Sequence, residues 1–352
     1  MSLRSEDARP LCAQDGMYAH GGTRTVNMQI CETVKPDQSH PVRIGLVGCG
    51  RLAEFGYLPA FRQAKGVALV GVVDVNASRC REIVPEAPAH QNIQSLIDAG
   101  GIDALVISTP TRFHLSDARC AANAGLPALV EKPPGLNLEE AQALYRLQPS
   151  PWIGFNRRFD ADIARLKYGS PRDGSIHLEL HYRRTSWRPF DMQDDALLDL
   201  APHLIDLARW LSGSEVSSVR TVSLNERRVK LDLTLDRGDA AISCSNDTHY
   251  RERVVLKDLQ GRVCASYERG GLVSGIVAKL QPKAESPLVK PIVGQLEAFA
   301  MAVRGELDPL TLATSTDGLA VMAVIDAARR SAARGGVKCQ LPSAAELVEV
   351  HS

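Results

Sequence analysis

Three side chains of this sequence have the types and spacing of a proton-transfer site. Lys132 comes just after the apolar run 126–130 and just before Pro133, and Asp199 precedes His203 by four residues. In a helix, side chains four positions apart share a face. A histidine exchanges protons near neutral pH, and a lysine ammonium stabilises negative charge that develops on oxygen. Taken singly, each has an ordinary alternative: a surface lysine, a helix cap and a core histidine.

The run before Lys132 predicts how this lysine is positioned. Residues 126–130 have the length and apolar character of a buried parallel strand. Ligands of open α/β sheets bind beyond the carboxyl ends of the strands, so Lys132 is predicted to face that crevice. The Lys132–Pro133 bond is a candidate cis peptide.

A glycine-rich turn near the start of the chain predicts a dinucleotide site. The apolar strand 42–47 leads directly into Gly48-Cys49-Gly50-Arg51-Leu52-Ala53, a G-x-G-x-x-A pattern. In this pattern the first glycine permits the tight turn, the second admits a pyrophosphate, and the small third residue packs the helix on the strand. We therefore predict that Gly48, Gly50, Arg51 and Leu52 bind the cofactor, at the start of a helix over 51–65.

Asp74 is the predicted ribose ligand. It ends the second apolar strand, 67–73, and lies 24 residues after Gly50, close to the ~20 expected for the carboxylate that accepts the ribose hydroxyls. A carboxylate there repels a 2′-phosphate, so NAD is favoured, while the nearby Arg79 keeps NADP possible. The alternative is that Asp74 only caps the next turn.

Strands and helices continue to alternate as far as residue 156, which predicts a doubly wound parallel sheet. Predicted helices cover 93–99, 113–123 and 138–147, and Gly125 is expected to end the second of them. Polar residues fall at the ends of the predicted strands and are expected to cluster on the cofactor side: Thr109, His114, Glu131, Lys132 and Asn156. Pro110, which follows Thr109, is also predicted to contact the cofactor.

The remainder of the chain predicts a second α/β region. The segment 175–184 and runs between 219 and 266 alternate in polarity like the strands of a mostly antiparallel sheet. Pro202 suits the first turn of a helix, which makes Ala201 a candidate N-cap. Two interpretations of Arg157 and Arg158 stay open: they contact substrate or cofactor, or they form ion pairs between the domains. The basic and aromatic stretch 185–188 would meet an anionic sugar or lie on a solvated strand.

The composition is that of an ordinary globular protein, with 44% hydrophobic and 23% charged residues. The 41 basic and 41 acidic residues cancel, and no apolar run approaches the ~18 residues of a membrane span. Nucleic acid and membranes are therefore not expected partners. The eight cysteines form no C-x-x-C pair, which favours free thiols in the cytoplasm and predicts no metal site.

The length of 352 residues predicts two domains between flexible ends. We expect a polar, flexible arm over 1–40, a dinucleotide-binding domain over 41–153, a substrate-binding and oligomerisation domain over 154–340, and a tail over 341–352.

These motifs, in this order, resemble those of the glucose-fructose oxidoreductase and inositol dehydrogenase family (Gfo/Idh/MocA). The resemblance rests on the glycine-rich turn, the turn with His114, the Glu131-Lys132-Pro133 segment and Gly154-Phe155-Asn156, and it covers roughly residues 42–335. It implies a Rossmann domain followed by an α/β domain with a large open sheet. It also implies a homodimer or homotetramer formed through that sheet.

The resemblance further implies a nicotinamide-dependent oxidoreductase for a hydroxyl or keto group of a sugar, cyclitol or sugar derivative. His203 would be the acid/base, with Lys132 and Asp199 as the other catalytic residues. Substrate would contact these three together with Asn156 and Arg158. Ala201 departs from the family, where this position is often glycine. The competing hypotheses are a glycoside hydrolase or lyase that uses NAD transiently, and a nucleotide-binding sensor without turnover.

Overall fold

The computed structural model describes residues 40–170, 173–183, 194–270, 286–306, 312–343 and 346–347. All of them fall in one compact unit. Most of the predicted arm and of the predicted tail, and the stretch 185–188, lie outside the described residues. No helix in the described ranges is long and apolar enough to cross a membrane.

The first sheet has seven strands within the described ranges. They are β1 (Val42–Val47), β2 (Val67–Val73), β3 (Ala89–His90), β4 (Ala104–Ile107), β5 (Ala128–Glu131), β6 (Trp152–Gly154) and β13 (Ala313–Thr314). Their order is β13-β6-β5-β4-β1-β2-β3. All neighbours run parallel except β13, which pairs antiparallel with β6. The predicted Rossmann-type parallel sheet is therefore confirmed.

Helices connect and cover these strands. The α-helices are α1 (Leu58–Phe61), α2 (Ala77–Ile83), α3 (Ile93–Ala99), α4 (Thr111–Asn123), α5 (Leu138–Tyr145), α6 (Ala161–Tyr168), α7 (Ala196–Asp199), α8 (Ala201–Ser212), α9 (Val289–Val303) and α10 (Ser315–Ala333). A 3₁₀ turn covers Asn156–Phe159. The predicted helix over 51–65 is wrong as one regular helix, because a π-helical segment, Ala53–Tyr57, interrupts it before α1.

The second sheet also has seven strands within the described ranges. They are β7 (Ser175–Arg183), β8 (Val216–Leu224), β9 (Arg228–Leu235), β10 (Asp239–Ser245), β11 (Asp247–Lys257), β12 (Val263–Gly270) and β14 (Cys339–Gln340). Their order is β12-β11-β7-β10-β9-β8-β14, and every pair is antiparallel except β10 with β7. This confirms the predicted large, mostly antiparallel sheet.

The hydrophobic core links the two sheets through shared helices. Helix α8 is buried along nearly its whole length. Its apolar side chains belong to one hydrophobic cluster that also contains residues of both sheets. A second cluster lies on the other face of the first sheet, where α9 packs through Ile292, Leu296 and Phe299. Because α9 and β13 return to the first sheet, that sheet contains residues from both sides of the predicted boundary at 153/154.

Candidate active site

A cavity of about 880 Å³ lies where the carboxyl ends of the first-sheet strands meet the start of α8 and strands β7 and β11. This volume lies within the usual range for small-molecule sites. Most of the predicted site residues line it: Gly50, Arg51, Leu52, Thr109, Pro110, His114, Glu131, Lys132, Asn156, Asp199 and His203. Gly48, Asp74 and Arg158 do not belong to its lining.

Lys132 is held by Asp199 at the centre of this wall. It follows β5 directly, and its bond to Pro133 is cis, as predicted. The Lys132 Nζ donates to the backbone carbonyl of Asp199 at 2.7 Å and to its Oδ1 at 3.1 Å. Tyr182 donates its hydroxyl hydrogen to Asp199 Oδ2. One carboxylate therefore orients both a cation and a phenol at the cavity wall.

Asp199 and His203 do not share one continuous helix, so that prediction is wrong in detail. Asp199 ends the short helix α7, Leu200 separates the two helices, and Ala201 is the first residue of α8. The predicted N-cap at Ala201 is also wrong, since the N-cap is Leu200, but Pro202 does lie in the first turn. The break turns the Asp199 carbonyl towards Lys132.

His203 stands in the first turn of α8, where burial and charge keep its imidazole neutral. Its side chain is only 7% exposed, and among the described residues Nδ1 is buried without a hydrogen-bond partner. Burial, followed by repulsion from Lys132 and Arg157, lowers the pKa of His203 well below 6.5. A neutral imidazole on a cavity wall is ready to accept a proton.

The glycine-rich turn has the geometry that a dinucleotide requires. Gly48 has φ 97°, and a β-carbon there would approach the Ser108 carbonyl oxygen to 2.8 Å, so the turn needs glycine. A β-carbon on Gly50 would meet nothing within 4 Å, which leaves space beside this backbone. Ala53 is buried, as the pattern predicted. These residues fit a bound pyrophosphate.

Asp74 lies beside this turn at the end of β2. Its Oδ2 accepts the backbone N–H of Cys49 at 2.8 Å, and its Oδ1 accepts the N–H of Asn76 at 2.8 Å. The carboxylate is therefore fixed against the glycine-rich turn. Arg79, the residue that kept NADP possible, forms ion pairs with Glu54 and Glu82.

His114 is buried, and both of its ring nitrogens face backbone carbonyls. Nδ1 lies 2.8 Å from the Pro133 oxygen and Nε2 lies 2.7 Å from the Thr109 oxygen. The Thr109 hydroxyl in turn donates to Asp117 at 2.7 Å. His114 therefore joins two loops of the cavity wall. His114 also lines the cavity, and its contact with the cofactor stays a prediction.

Glu131 is a buried carboxylate at the cavity wall. Its Oε1 accepts the hydroxyl of Tyr57 at 2.6 Å, and its Oε2 accepts the backbone N–H of Lys132 at 3.1 Å. Gln295 donates to the Tyr57 oxygen at 3.1 Å. Burial raises the pKa of Glu131, against the lowering by Tyr57 and Lys132.

The three residues 156–158 face different parts of the protein: Asn156 and Arg157 line the cavity, and Arg158 does not. Asn156 lines the cavity, and its buried Oδ1 has no partner among the described residues. Arg157 also lines it while pairing with Glu252 at 3.1 Å. Arg158 faces away: it binds Asp206 through Nε at 2.8 Å and Nη2 at 2.5 Å. The prediction that Arg158 contacts substrate is therefore corrected, because this guanidinium is buried in an ion pair.

Sequence reasoning missed Tyr57, Tyr182 and Gln295. Tyr182 lay within a segment predicted to be a strand, so its position opposite Asp199 was not evident. Gln295 is 238 residues from Tyr57, and no local pattern reports such a contact. No cluster of three or more metal-ligating side chains occurs within the described ranges.

The chain matches a sequence family described as an oxidoreductase family with an NAD-binding Rossmann fold, over residues 42–150. It is 29% identical over 287 residues to UDP-N-acetylglucosamine 3-dehydrogenase of Acidithiobacillus ferrooxidans, covering 74% of this chain and 88% of that protein. It is 28% identical over 329 residues to inositol 2-dehydrogenase 2 of Saccharopolyspora erythraea, covering 84% and 94%.

A solved structure shares the fold. Scyllo-inositol dehydrogenase from Lactobacillus casei, with bound NAD(H) and scyllo-inositol, superposes with a TM-score of 0.67 at 18% identity, covering 85% of this chain and 99% of that one. The similarity extends over both sheets, beyond the dinucleotide-binding part. With the glycine-rich turn and the relatives in agreement, residues 42–150 belong to the NAD-binding Rossmann domain of the Gfo/Idh/MocA oxidoreductase family.

Proposed function

We propose that this protein transfers a hydride between NAD(H) and a hydroxyl or keto group of a cyclitol, sugar or sugar derivative. The observation that carries the proposal is the presence of Lys132, ion-paired to Asp199, and a neutral His203 on the wall of the cavity that also contains Gly50. The names of the relatives, which act on inositol or on a nucleotide-linked sugar, support this substrate class.

The proton and the charge are handled by this chain's own side chains. The nicotinamide, when bound, supplies or takes the hydride. His203 removes the proton of the substrate hydroxyl during oxidation and returns it during reduction. Since Nδ1 is buried, we assign the transfer to Nε2. Lys132 stabilises the negative charge that develops on the substrate oxygen.

Asp199 and Asn156 would orient the reacting groups. Asp199 fixes the Lys132 ammonium through two hydrogen bonds, so that its remaining hydrogen is directed. The side-chain carbonyl oxygen of Asn156 is buried and has no hydrogen-bond partner among the described residues. It could therefore accept a hydrogen bond from a substrate hydroxyl. Buried polar acceptors of this kind reject analogues that lack the matching donor.

NAD rather than NADP is the proposed cofactor. Asp74 presents a carboxylate beside the glycine-rich turn, and it would repel a 2′-phosphate. Arg79 is engaged by Glu54 and Glu82, which opposes its use as a phosphate ligand. Assembly through the open face of the second sheet stays part of this proposal.

Turnover with purified substrates tests the function. We would incubate the wild-type protein with NAD⁺ and a panel of inositols, hexoses and UDP-sugars, and follow the absorbance of reduced nicotinamide. His203→Asn should lower turnover by at least about 10²-fold, because the proton acceptor is lost, while the dissociation constant for NADH stays within about threefold. His177→Asn, on β7 outside the cavity lining, is the matched control. Full turnover by His203→Asn would overturn the role of His203, and glycosidic cleavage without net reduction would favour the hydrolase or lyase hypothesis.

A further inference from the structure

A chain of three buried polar groups runs from Glu131 on the cavity wall to Tyr57 and Gln295 in the interior behind it. Gln295 Nε2 donates to the Tyr57 hydroxyl oxygen at 3.1 Å, and this hydroxyl lies 2.6 Å from Glu131 Oε1. Gln295 and Tyr57 are 0% exposed and Glu131 is 3% exposed. The three residues come from α9, the π-helical segment and β5, so the contact exists only in the folded protein.

The directions of these hydrogen bonds are fixed by which groups can donate. The Gln295 amide nitrogen only donates, so the Tyr57 oxygen accepts from it and the phenol hydrogen points to Glu131. The other Glu131 oxygen accepts the Lys132 backbone N–H. Both carboxyl oxygens thus face donors, an arrangement that suits the ionised form.

Burial acts against this ionisation, and the donors offset only part of its effect, so the pKa of Glu131 stays above its ordinary value. Desolvation raises the pKa of Glu131, whereas the Tyr57 hydroxyl, the Lys132 charge and the Lys132 N–H lower it. Tyr57 and Lys132 are the titratable groups that face this carboxyl in the described part of the chain. Tyr57 itself stays protonated, since burial and the neighbouring Glu131 raise its pKa.

A fixed negative charge here would act on the cofactor. Glu131 shares the cavity wall with Lys132 and His203, where the proposed reaction requires the nicotinamide to lie. The oxidised nicotinamide ring is cationic and the reduced ring is neutral. A nearby carboxylate therefore interacts with the two redox states differently, and weak screening in a buried site preserves the difference.

We propose that Tyr57 and Gln295 are positioning residues that keep the Glu131 carboxylate ionised, and that its charge makes the site favour the oxidised over the reduced cofactor. This inference rests on the proposed function for the location of the nicotinamide. The proposal gives a role to the contact between Tyr57 and Gln295, which no local sequence pattern predicts.

Cofactor binding, without turnover, tests the inference. We would measure the dissociation constants for NAD⁺ and NADH by titration calorimetry in wild-type protein, Tyr57→Phe and Glu131→Gln, from about pH 6 to about pH 8. In Tyr57→Phe we expect NAD⁺ to bind about tenfold more weakly than in wild type and NADH to change by less than about threefold. The NAD⁺ loss should grow as the pH falls, because Glu131 without its donor takes up a proton more readily.

The other variants separate charge from shape. Glu131→Gln should weaken NAD⁺ binding at every pH, and Tyr57→Phe added to it should cause no further change. Gln295→Met, which removes the donor to Tyr57, should shift the ratio of the two constants in the same direction and serves if Tyr57→Phe does not fold. Tyr168→Phe, at a tyrosine that is 94% exposed, is the matched control.

Two negative outcomes are distinct. Equal weakening of NAD⁺ and NADH in Tyr57→Phe, or an unchanged ratio, overturns this inference and leaves the proposed function in place. Wild-type protein that binds neither cofactor contradicts the proposed function itself.

Discussion

Lys132 donates to both the backbone carbonyl and the carboxylate of Asp199, at 2.7 and 3.1 Å. Lys132 follows strand β5 of the first sheet. Asp199 ends helix α7, which lies between strands β7 and β8 of the second sheet. This contact therefore fixes the first sheet's crevice to the segment that carries His203. A change at Asp199 should disturb chemistry more than cofactor binding.

Asp199→Asn should lower kcat by about tenfold or more, because Lys132 loses its counter-charge and Tyr182 loses a charged acceptor. Tyr182→Phe removes one hydrogen bond and should cost about three- to tenfold. Steady-state kinetics with a substrate found in the screen measures both, and NADH titration checks that binding persists. A fall in NADH affinity as large as the fall in kcat would contradict the assigned role.

The low pKa of His203 predicts the pH profile. Oxidation needs the neutral imidazole, so kcat/KM should stay flat through neutral pH and fall only below the ordinary histidine pKa of 6.5. Lys132→Met removes one neighbouring positive charge, so the pKa of His203 should rise, while burial and Arg157 still hold it below 6.5.

Histidine-resolved NMR titration measures this shift directly. His177 and His181 lie on β7 and serve as internal references, because Lys132 is not among the groups that shift their pKa values. An unchanged His203 titration in Lys132→Met would show that the two residues do not interact electrostatically.

The surroundings of Asp74 predict the cofactor preference and how to change it. Wild-type protein should bind NADH more tightly than NADPH. The double variant Glu54→Gln/Asp74→Ser removes a repelling carboxylate and frees Arg79 from Glu54, so NADPH affinity should rise by about tenfold. Fluorescence titrations with both cofactors measure the ratio. Glu82→Gln alone, at the longer 3.5 Å contact with Arg79, is the control and should change it little.

The buried ion pair between Arg158 and Asp206 predicts a stability effect. Asp206→Asn leaves the guanidinium with less compensation in a buried site and should lower the free energy of unfolding by about 3–5 kcal/mol. Asp232→Asn breaks the exposed pair with Arg220 and should cost about 0–1 kcal/mol. Urea unfolding of both variants measures the difference, and equal values would contradict the importance of burial.

Local patterns predicted the parts of the site that neighbouring residues determine. The glycine-rich turn, the strand before Lys132 and the cis Lys132–Pro133 bond follow from residue type and spacing, because each depends on a few adjacent backbone angles. The break at Leu200 did not follow from the pattern, since a four-residue spacing fits one helix as well as two.

Contacts between distant residues were beyond such reasoning. Arg158 has the same residue type and neighbourhood as Arg157, yet Arg158 is bound to Asp206 and Arg157 lines the cavity. Likewise, nothing near Tyr57 in the sequence announces Gln295. The packing of α9 on the first sheet decides that contact, and it is set by the whole fold.

The return of the chain to its first sheet has a mechanical consequence. The polypeptide leaves this sheet after β6, returns to it with α9 and β13, and leaves again with α10, whose side chains pack into the core shared with the second sheet. The part of the protein built on the first sheet and the part built on the second sheet are thus connected by three segments of the polypeptide rather than by one. A closure around a ligand has to be compatible with all three connections, which favours small, concerted adjustments of the cleft over wide swinging.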